Sequence, residues 1–309
     1  MHDETQKLLP AMVEARDRFM QLVDELRPEL HRYCARMTGS VFDGEDVVQD
    51  TLAKAYYALG QMLEPPNLKP WLFRIAHNTA MDYLKRYERR NVDYVPDVPE
   101  RAEPQEAGVD PALVEAALSV FVELPPVQRS ALVLKDVLGQ SLEEAAATMG
   151  TTVGAVKAAL SRARGRLVRT SRAATTAPAP PPSTEQQTTL RRYADLFNDR
   201  NWDGLRALLA EEARLDIVSR LQHRAVNAGY YDRYAEITSD EDIRAEMGFV
   251  DGVPVIAMFR PVSSQMPAYF ILLESSGGRI SRIRDFRYIP YIAIDARFSQ
   301  TNREPGGKV

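Results

Sequence analysis

The sequence predicts a multidomain chain in which two all-α parts precede an α+β part. Three observations lead there. Apolar residues in the first 172 positions recur every three or four residues, the period of an amphipathic helix. Four runs rich in β-branched and aromatic residues occupy positions 243–288 and read as strands. Two proline-bearing stretches, 91–110 and 173–184, cut the 309 residues into pieces of domain size.

The first part reads as helix throughout. Phe19, Leu22, Val23, Leu26, Leu30, Tyr33 and Met37 mark one apolar helical face. Asp43 precedes Val47, Val48, Leu52, Ala55, Tyr56 and Leu59, so it is read as the N-cap of a second helix. Gly60 to Lys69 contains Pro65-Pro66 and is assigned to a loop. Pro70 then opens a third helix, where its missing N–H costs nothing. That helix carries Trp71, Leu72, Ile75, Ala76, Ala80, Tyr83 and Leu84 and ends in a basic run through Arg90.

The second part begins with a helix over Leu113–Leu124, stopped by Pro125-Pro126, and continues with Val127–Val137. Ser141 and Glu144 form the signature of a capping box ahead of a helix to Met149. Gly150 and Thr151-Thr152 make a short turn, and Val153–Val168 is the next helix. A helix, a glycine-bearing turn and a basic second helix is the helix-turn-helix plan. In the third part, Thr188–Asn198, Trp202–Leu209 and Tyr230–Ile237 have helical patterns. Ile243–Val250, Val253–Phe259, Ala268–Glu274 and Ile280–Tyr288 read as an antiparallel sheet, with hairpin-type turns at Asp251-Gly252 and Gly277-Gly278.

Charge distribution says more than its total. The net charge of −4, from 39 basic and 43 acidic residues, argues superficially against a nucleic-acid partner. Residues 93–152, however, carry 3 basic and 11 acidic groups, whereas 153–184 carry 6 basic groups and no acid. The positive block falls on the second helix of the helix-turn-helix, where contact with phosphates requires it. Cys34 is the only cysteine, which excludes an intramolecular disulfide framework and any multi-cysteine zinc site. His2, His31, His77 and His223 are too scattered for a metal pair at helical spacing. With no basic-then-apolar leader at Met1 and no apolar run of membrane length, the expectation is a soluble, cytoplasmic protein with no membrane partner.

These residues resemble a bacterial sigma factor of the extracytoplasmic-function class over roughly 14–170. The string from Asp43 to Tyr56 is similar to the family's helix that docks on RNA polymerase. Lys69–Arg86 is similar to its −10 melting and recognition helix. Leu124–Leu134 with the helix-turn-helix through Arg164 is similar to its −35-binding region. The resemblance implies region 2 over 11–92, an acidic linker over 93–110, region 4 over 111–172, a proline-rich linker over 173–184 and a further domain over 185–309. It implies core RNA polymerase and promoter DNA as partners, no cofactor, no metal and no enzymatic activity.

Roles are carried over residue by residue. The resemblance makes Asp43, Glu45, Asp46 and Gln49 polymerase contacts, the alternative being an N-terminal cap and dipole complement. Trp71 sits where the family stacks an aromatic on an unpaired base, and ordinary core packing is the competing reading. Leu72 stands where housekeeping sigma factors have a second aromatic, which implies weaker melting and stricter dependence on promoter sequence. Asn78 can present a donor and an acceptor to a base edge beside the −10 strand. Lys85, Arg86, Arg89 and Arg90 are assigned to phosphates. On the second helix of the motif, Thr152, Val153, Lys157 and Ser161 fall toward the base edges, Gly154 and Ala155 permit close approach, and Arg162 and Arg164 are placed for phosphate.

The carboxy-terminal part, from Phe197 to Ala210 and Gly277 to Phe286, resembles the SnoaL-like cone fold, which some sigma factors of this class carry as a fused regulator. The same fold hosts enzymes, so Asp216, His223, Asp251, Asp285 and Tyr288 are candidate pocket residues and a small molecule is a candidate ligand. An Asp-Gly-Gly-Gly motif known in one fused subgroup is not reproduced, since only Asp251-Gly252 and Gly277-Gly278 occur. The alternative from a different class is a one-component DNA-binding regulator, or a SnoaL-like enzyme with a helix-turn-helix arm. It leaves the Trp71 helix and the docking helix unexplained.

Overall fold

The computed structural model describes residues 2–61, 67–90, 118–173, 183–218, 223–225, 229–240 and 242–300. The acidic linker at 93–110 and most of the proline-rich linker lie outside the described residues. The chain divides into two compact units, Met1–Ala174 and Thr175–Val309.

The first unit is helical: α1 His2–Thr38, α2 Val41–Leu59, α3 Leu68–Arg90, α4 Leu118–Val122, α5 Pro126–Leu132, α6 Leu142–Met149 and α7 Val153–Ala173. A single π-helical turn, Val133–Val137, extends α5. One continuous core runs through the unit, with Tyr33, Phe73, Phe121, Leu134, Val156 and Leu160 all buried in it.

Helix α2 starts earlier than expected. Ser40, not Asp43, is its N-cap, and the Ser40 hydroxyl accepts from the Asp43 N–H at 3.2 Å. The reason is that Val41 and Phe42 are buried and enter the helix ahead of the acidic run. Gly44 sits where α1 and α2 cross closely, and a Cβ there would lie 2.6 Å from the Ala35 Cα. The glycine in Asp43-Gly-Glu-Asp46 is therefore a packing requirement. Helix α3 takes Leu68 and Lys69 into its first turn with Pro70. The Ser141–Glu144 capping box forms in both directions, and Gly150 closes α6 at φ +62°, a conformation that favours glycine.

The second unit opens with α8 Thr184–Asn198, capped by Ser183, and α9 Trp202–Ala207. Strands β1 Leu209–Val218 and β2 His223–Ala225 follow, then α10 Tyr230–Asp240. Strands β3 Arg244–Val250, β4 Val253–Phe259, β5 Tyr269–Ser276 and β6 Arg279–Asp285 lead to α11 Tyr291–Asp295 and β7 Phe298–Ser299. The sheet order is β2-β1-β6-β5-β4-β3-β7.

The sheet is mixed rather than purely antiparallel, because β1 pairs with β6 in parallel. Strand β1 escaped the sequence reading because Leu-Ala-Glu-Glu-Ala-Arg-Leu lacks strand-forming composition. Its neighbours β2 and β6 supply the hydrogen-bonding partners that hold it extended. Leu190, Tyr193 and Phe197 of α8 and Tyr230, Tyr231 and Tyr234 of α10 share a core with Ile256, Met258, Ile271 and Ile283 from the strands. The multidomain expectation stands: all-α first, then helices laid on a mixed sheet.

Candidate polymerase and nucleic-acid interfaces

On α2 the four candidate residues separate into two kinds. Asp43 and Asp46 are half-buried and face Tyr83 of α3. Burial, followed by Asp43 and Asp46, pushes the Tyr83 phenol well above its usual range, so it stays protonated. Glu45 is fully buried and ion-paired with Arg27 of α1, itself 1% exposed. The Gln49 amide donates to Glu45 Oε1 at 2.8 Å. Burial leaves Glu45 no surface in this structure, and it joins α2 to α1 instead. Sequence reasoning missed the exposed aromatic end of this helix, where Tyr57 is 72% exposed.

Helix α3 presents two faces. Leu72, Phe73, Ala76, His77, Ala80 and Leu84 point inward. Arg74, Asn78, Lys85 and Arg86 are exposed. Trp71 lies between them, half-buried and packed on the core with part of its ring surface open. The packing reading and the surface reading of Trp71 thus both describe it. Arg86 Nε donates to the Asp82 carbonyl at 3.3 Å, which steadies the side chain without neutralising it. The side chains of Arg89 and Arg90 lie outside the described residues. Arg74 was missed, although its position three residues after Trp71 placed it on the same stripe.

On α7, Val156, Ala159, Leu160, Ala163 and Leu167 are buried, which turns Gly154, Ala155, Lys157 and Ala158 outward. Thr152 is exposed and caps the helix, its hydroxyl accepting from the Ala155 N–H at 3.2 Å. Val153 is half-buried against the core, and Ser161 and Arg162 are half-buried. Small residues and one lysine therefore make up the open face of the first two turns, a shape suited to a groove.

Arg164 does something other than expected. Its Nε and Nη2 donate to the two carboxylate oxygens of Asp136 at 2.9 and 2.7 Å. The Asp136 side chain is fully buried. Hydrogen bonding to Asp136 holds the Arg164 guanidinium above its usual range. A bidentate pair of this kind consumes the fork that a phosphate would need. Arg164 accordingly locks α7 onto the π-helical turn.

The five carboxy-terminal candidates do not converge. Asp285 is fully buried and accepts from Tyr230 at 3.0 Å, from Tyr234 at 2.7 Å and from both the backbone N–H and Nε of Arg287 at 3.0 Å. Tyr234 also meets the Tyr269 hydroxyl at 3.1 Å. Asp216 is ion-paired with Arg282. In the β1–β6 register Ile217 is opposite Asp285, and alternation puts the neighbouring Asp216 on the other face. Asp251 sits in the β3–β4 turn at φ +50°, and burial raises its carboxyl to about 6. Tyr288 is nearly half exposed, and His223 lies on β2, whose side chains are outside the described residues. The tyrosine ring around Asp285 was not read from the sequence, although Tyr230 and Tyr234 stand one helical turn apart.

Comparison with known proteins supplies the remaining context. The family model of Sigma-70 region 2 matches residues 22–90 and that of Sigma-70, region 4 matches 115–167. The chain is 29% identical to the ECF RNA polymerase sigma factor SigG of Mycobacterium tuberculosis, over 88% of this chain and 82% of that one. It is 31% identical to SigM of the same organism, over 54% of this chain and 85% of the relative. The crystal structure of the M. tuberculosis extracytoplasmic function sigma factor SigJ is 19% identical with a TM-score of 0.35, covering 88% of this chain and 97% of that one. Among the described residues no helix is long and apolar enough to cross a membrane, and no cluster of ligating side chains suits a metal ion.

Proposed function

From the premise that this chain belongs to the extracytoplasmic-function sigma factors and directs transcription initiation, we propose how its residues divide the work. Asp43, Asp46 and Gln49 on α2, extended by Tyr57, form the surface offered to core RNA polymerase. Glu45 acts behind them by anchoring α2 to α1 through Arg27. Trp71, Asn78, Lys85 and Arg86, with Arg74, Arg89 and Arg90, form the −10 stripe. Thr152, Val153, Lys157, Ser161 and Arg162 form the −35 face, while Arg164 positions α7.

The observation that carries this reading is the burial pattern of α3 and α7. Each helix buries one apolar face and leaves the other open, lined by Arg74, Asn78, Lys85 and Arg86 on α3 and by Lys157 among small residues on α7. The carboxy-terminal unit is proposed to modulate initiation in cis, by binding rather than by chemistry. Four donors already occupy the Asp285 carboxylate, which leaves it unsuited to act as a base. In vitro transcription with core polymerase and promoter mapping test the assignment. Specific initiation by the wild-type chain, lost in Asn78→Ala with core binding intact, is expected; initiation undiminished in that variant overturns the −10 assignment.

A further inference from the structure

The second unit holds a buried polar cluster whose hydrogen bonds do not balance. Asp285, at the end of β6, accepts from the Tyr230 and Tyr234 hydroxyls and from the backbone N–H and Nε of Arg287. Tyr234 spends its single proton on that carboxylate, so the Tyr269 hydroxyl 3.1 Å away donates to Tyr234. All of these protons run toward Asp285. Beside them, the Tyr193 hydroxyl of α8, the Tyr231 hydroxyl of α10 and Nη2 of Arg287 find no hydrogen-bond partner among the described residues. Tyr193 and Tyr231 adjoin each other and both lie in the field of Asp285, so the leftover groups belong to one site. Tyr193 is fully buried, Tyr231 is 4% exposed and the Arg287 side chain is 8% exposed. Burial holds both phenols above their usual range, which keeps them protonated and able to donate.

The imbalance has a sign. A phenol can accept as well as donate, but an arginine N–H can only donate, and Asp285 already takes four donors. The site is short of an acceptor, and a buried donor left without one costs free energy that a ligand can recover. Charge narrows the choice of ligand. Asp285 and Arg287 pair at 3.0 Å and cancel, so the cluster offers no surplus positive charge for burying a second carboxylate. A neutral oxygen meets no such penalty. The surrounding walls are aromatic. Phe197 meets Trp202 and Tyr234 edge to face at 5.5 and 5.3 Å, and Tyr230 meets Tyr231 and Tyr234 at 5.0 and 5.1 Å. Such rings favour a flat apolar body. The cluster approaches solvent at Tyr288, which is nearly half exposed and whose ring centre is 5.6 Å from the Arg287 guanidinium.

We propose that this cluster is a binding site for a neutral aromatic molecule bearing a carbonyl oxygen, which takes up the donors left over on Tyr193, Tyr231 and Arg287 while the ring system lies against the aromatics of α8 and α10. The site recognises its ligand and does not react with it, because the Asp285 carboxylate is committed to its own donors. Without ligand, the protein carries buried hydroxyls that contribute nothing to its fold, a feature that a packed core avoids. This inference rests on the reading that the second unit acts by binding, and it names the class of molecule bound.

Calorimetric titration of the full chain tests the ligand class. Fluorenone and acetylnaphthalene serve as carbonyl probes, isopropylnaphthalene as the counterpart without an acceptor, and naphthoate as the anion. A carbonyl probe is expected to bind about tenfold more tightly than either control. Tyr193→Phe combined with Tyr231→Phe removes both leftover hydroxyls. It is expected to weaken carbonyl binding about tenfold and to leave isopropylnaphthalene unaffected. Free of ligand, that variant is expected to melt at or above the wild-type temperature, because the hydroxyls it loses have no partner. Equal binding of ketone and hydrocarbon, a preference for naphthoate, or no binding of either carbonyl probe overturns the proposal. A lowered melting temperature in the ligand-free variant overturns it too, since the hydroxyls then support the fold. In vitro transcription with and without acetylnaphthalene separates the two readings. Carbonyl-selective binding with unchanged output upholds the site and overturns the regulatory role of the second unit.

Discussion

Arg164 and Lys157 stand seven residues apart on one helix, and their partners give them different work. Lys157 is exposed, whereas Arg164 is spent on the buried Asp136 carboxylate. Arg164→Ala leaves that carboxylate unpaired and is expected to destabilise the first unit by about 3 kcal/mol, read as a lowered melting temperature. Lys157→Ala is expected to leave melting within about 0.5 kcal/mol. It should instead weaken −35 duplex binding and reduce the salt slope by about one. His77 makes a second prediction at this scale. Burial lowers its imidazole to about 4, from an ordinary value near 6.5. Between those pH values the unfolded chain binds the proton and the folded chain does not. The first unit is therefore at full stability above about 6.5 and loses about 3 kcal/mol as the pH falls toward 4. Thermal melts from pH 7 to 4.5 should register this loss, and His77→Gln should flatten it.

At the scale of elements, most apolar helical faces were read correctly, although Leu22 and Tyr56 are exposed, and the helix ends were read less well. The Phe19–Met37 stripe, the inward face of α3 and the Ser141–Glu144 box all follow from local periodicity and capping chemistry. Ser40 took the cap expected of Asp43 because burial of Val41 and Phe42 decided where α2 begins. The crossing of α1 and α2 at Gly44 supplies a further test. A methyl group there meets the Ala35 backbone at 2.6 Å, so the helices must part. Gly44→Ala is expected to cost about 1–3 kcal/mol of stability and to weaken core polymerase binding by displacing Asp43 and Asp46. A stable variant with wild-type core binding would show that the helices can separate without consequence. In the second unit, β1 shows the opposite balance: its sequence does not announce a strand, and pairing with β2 and β6 makes it one.

For the whole molecule, the division into two compact units predicts separable roles. A chain ending before Ser183 removes the second unit and leaves the first unit's core residues in place. It is expected to bind core polymerase and promoter DNA but to give altered transcriptional output, measured on one promoter across conditions. Output identical to the full chain in every condition would leave the second unit without a regulatory role. Buried carboxylates and imidazoles also set opposite trends in the two units. Asp251, raised to about 6 by burial, contributes stability that is complete at low pH and declines as the pH rises through 6. His77 in the first unit runs the other way.

The sequence by itself determined the order of domains, the helix-turn-helix, the exposed stripes of α3 and α7 and the sigma-factor assignment. Each depends on contacts between residues three or four apart, or on short motifs whose chemistry is local. Only the tertiary structure decided which charges are free to meet a partner. Glu45 and Arg164 look like surface residues in a motif, yet Arg27 and Asp136 claim them from 18 and 28 residues away. It also decided that Asp216 and Asp285 lie on opposite faces of one sheet, and that Tyr33, His77 and Ser130 meet at all. Burial and ion pairing depend on which distant segments share a core, and a pattern along the chain does not encode that directly.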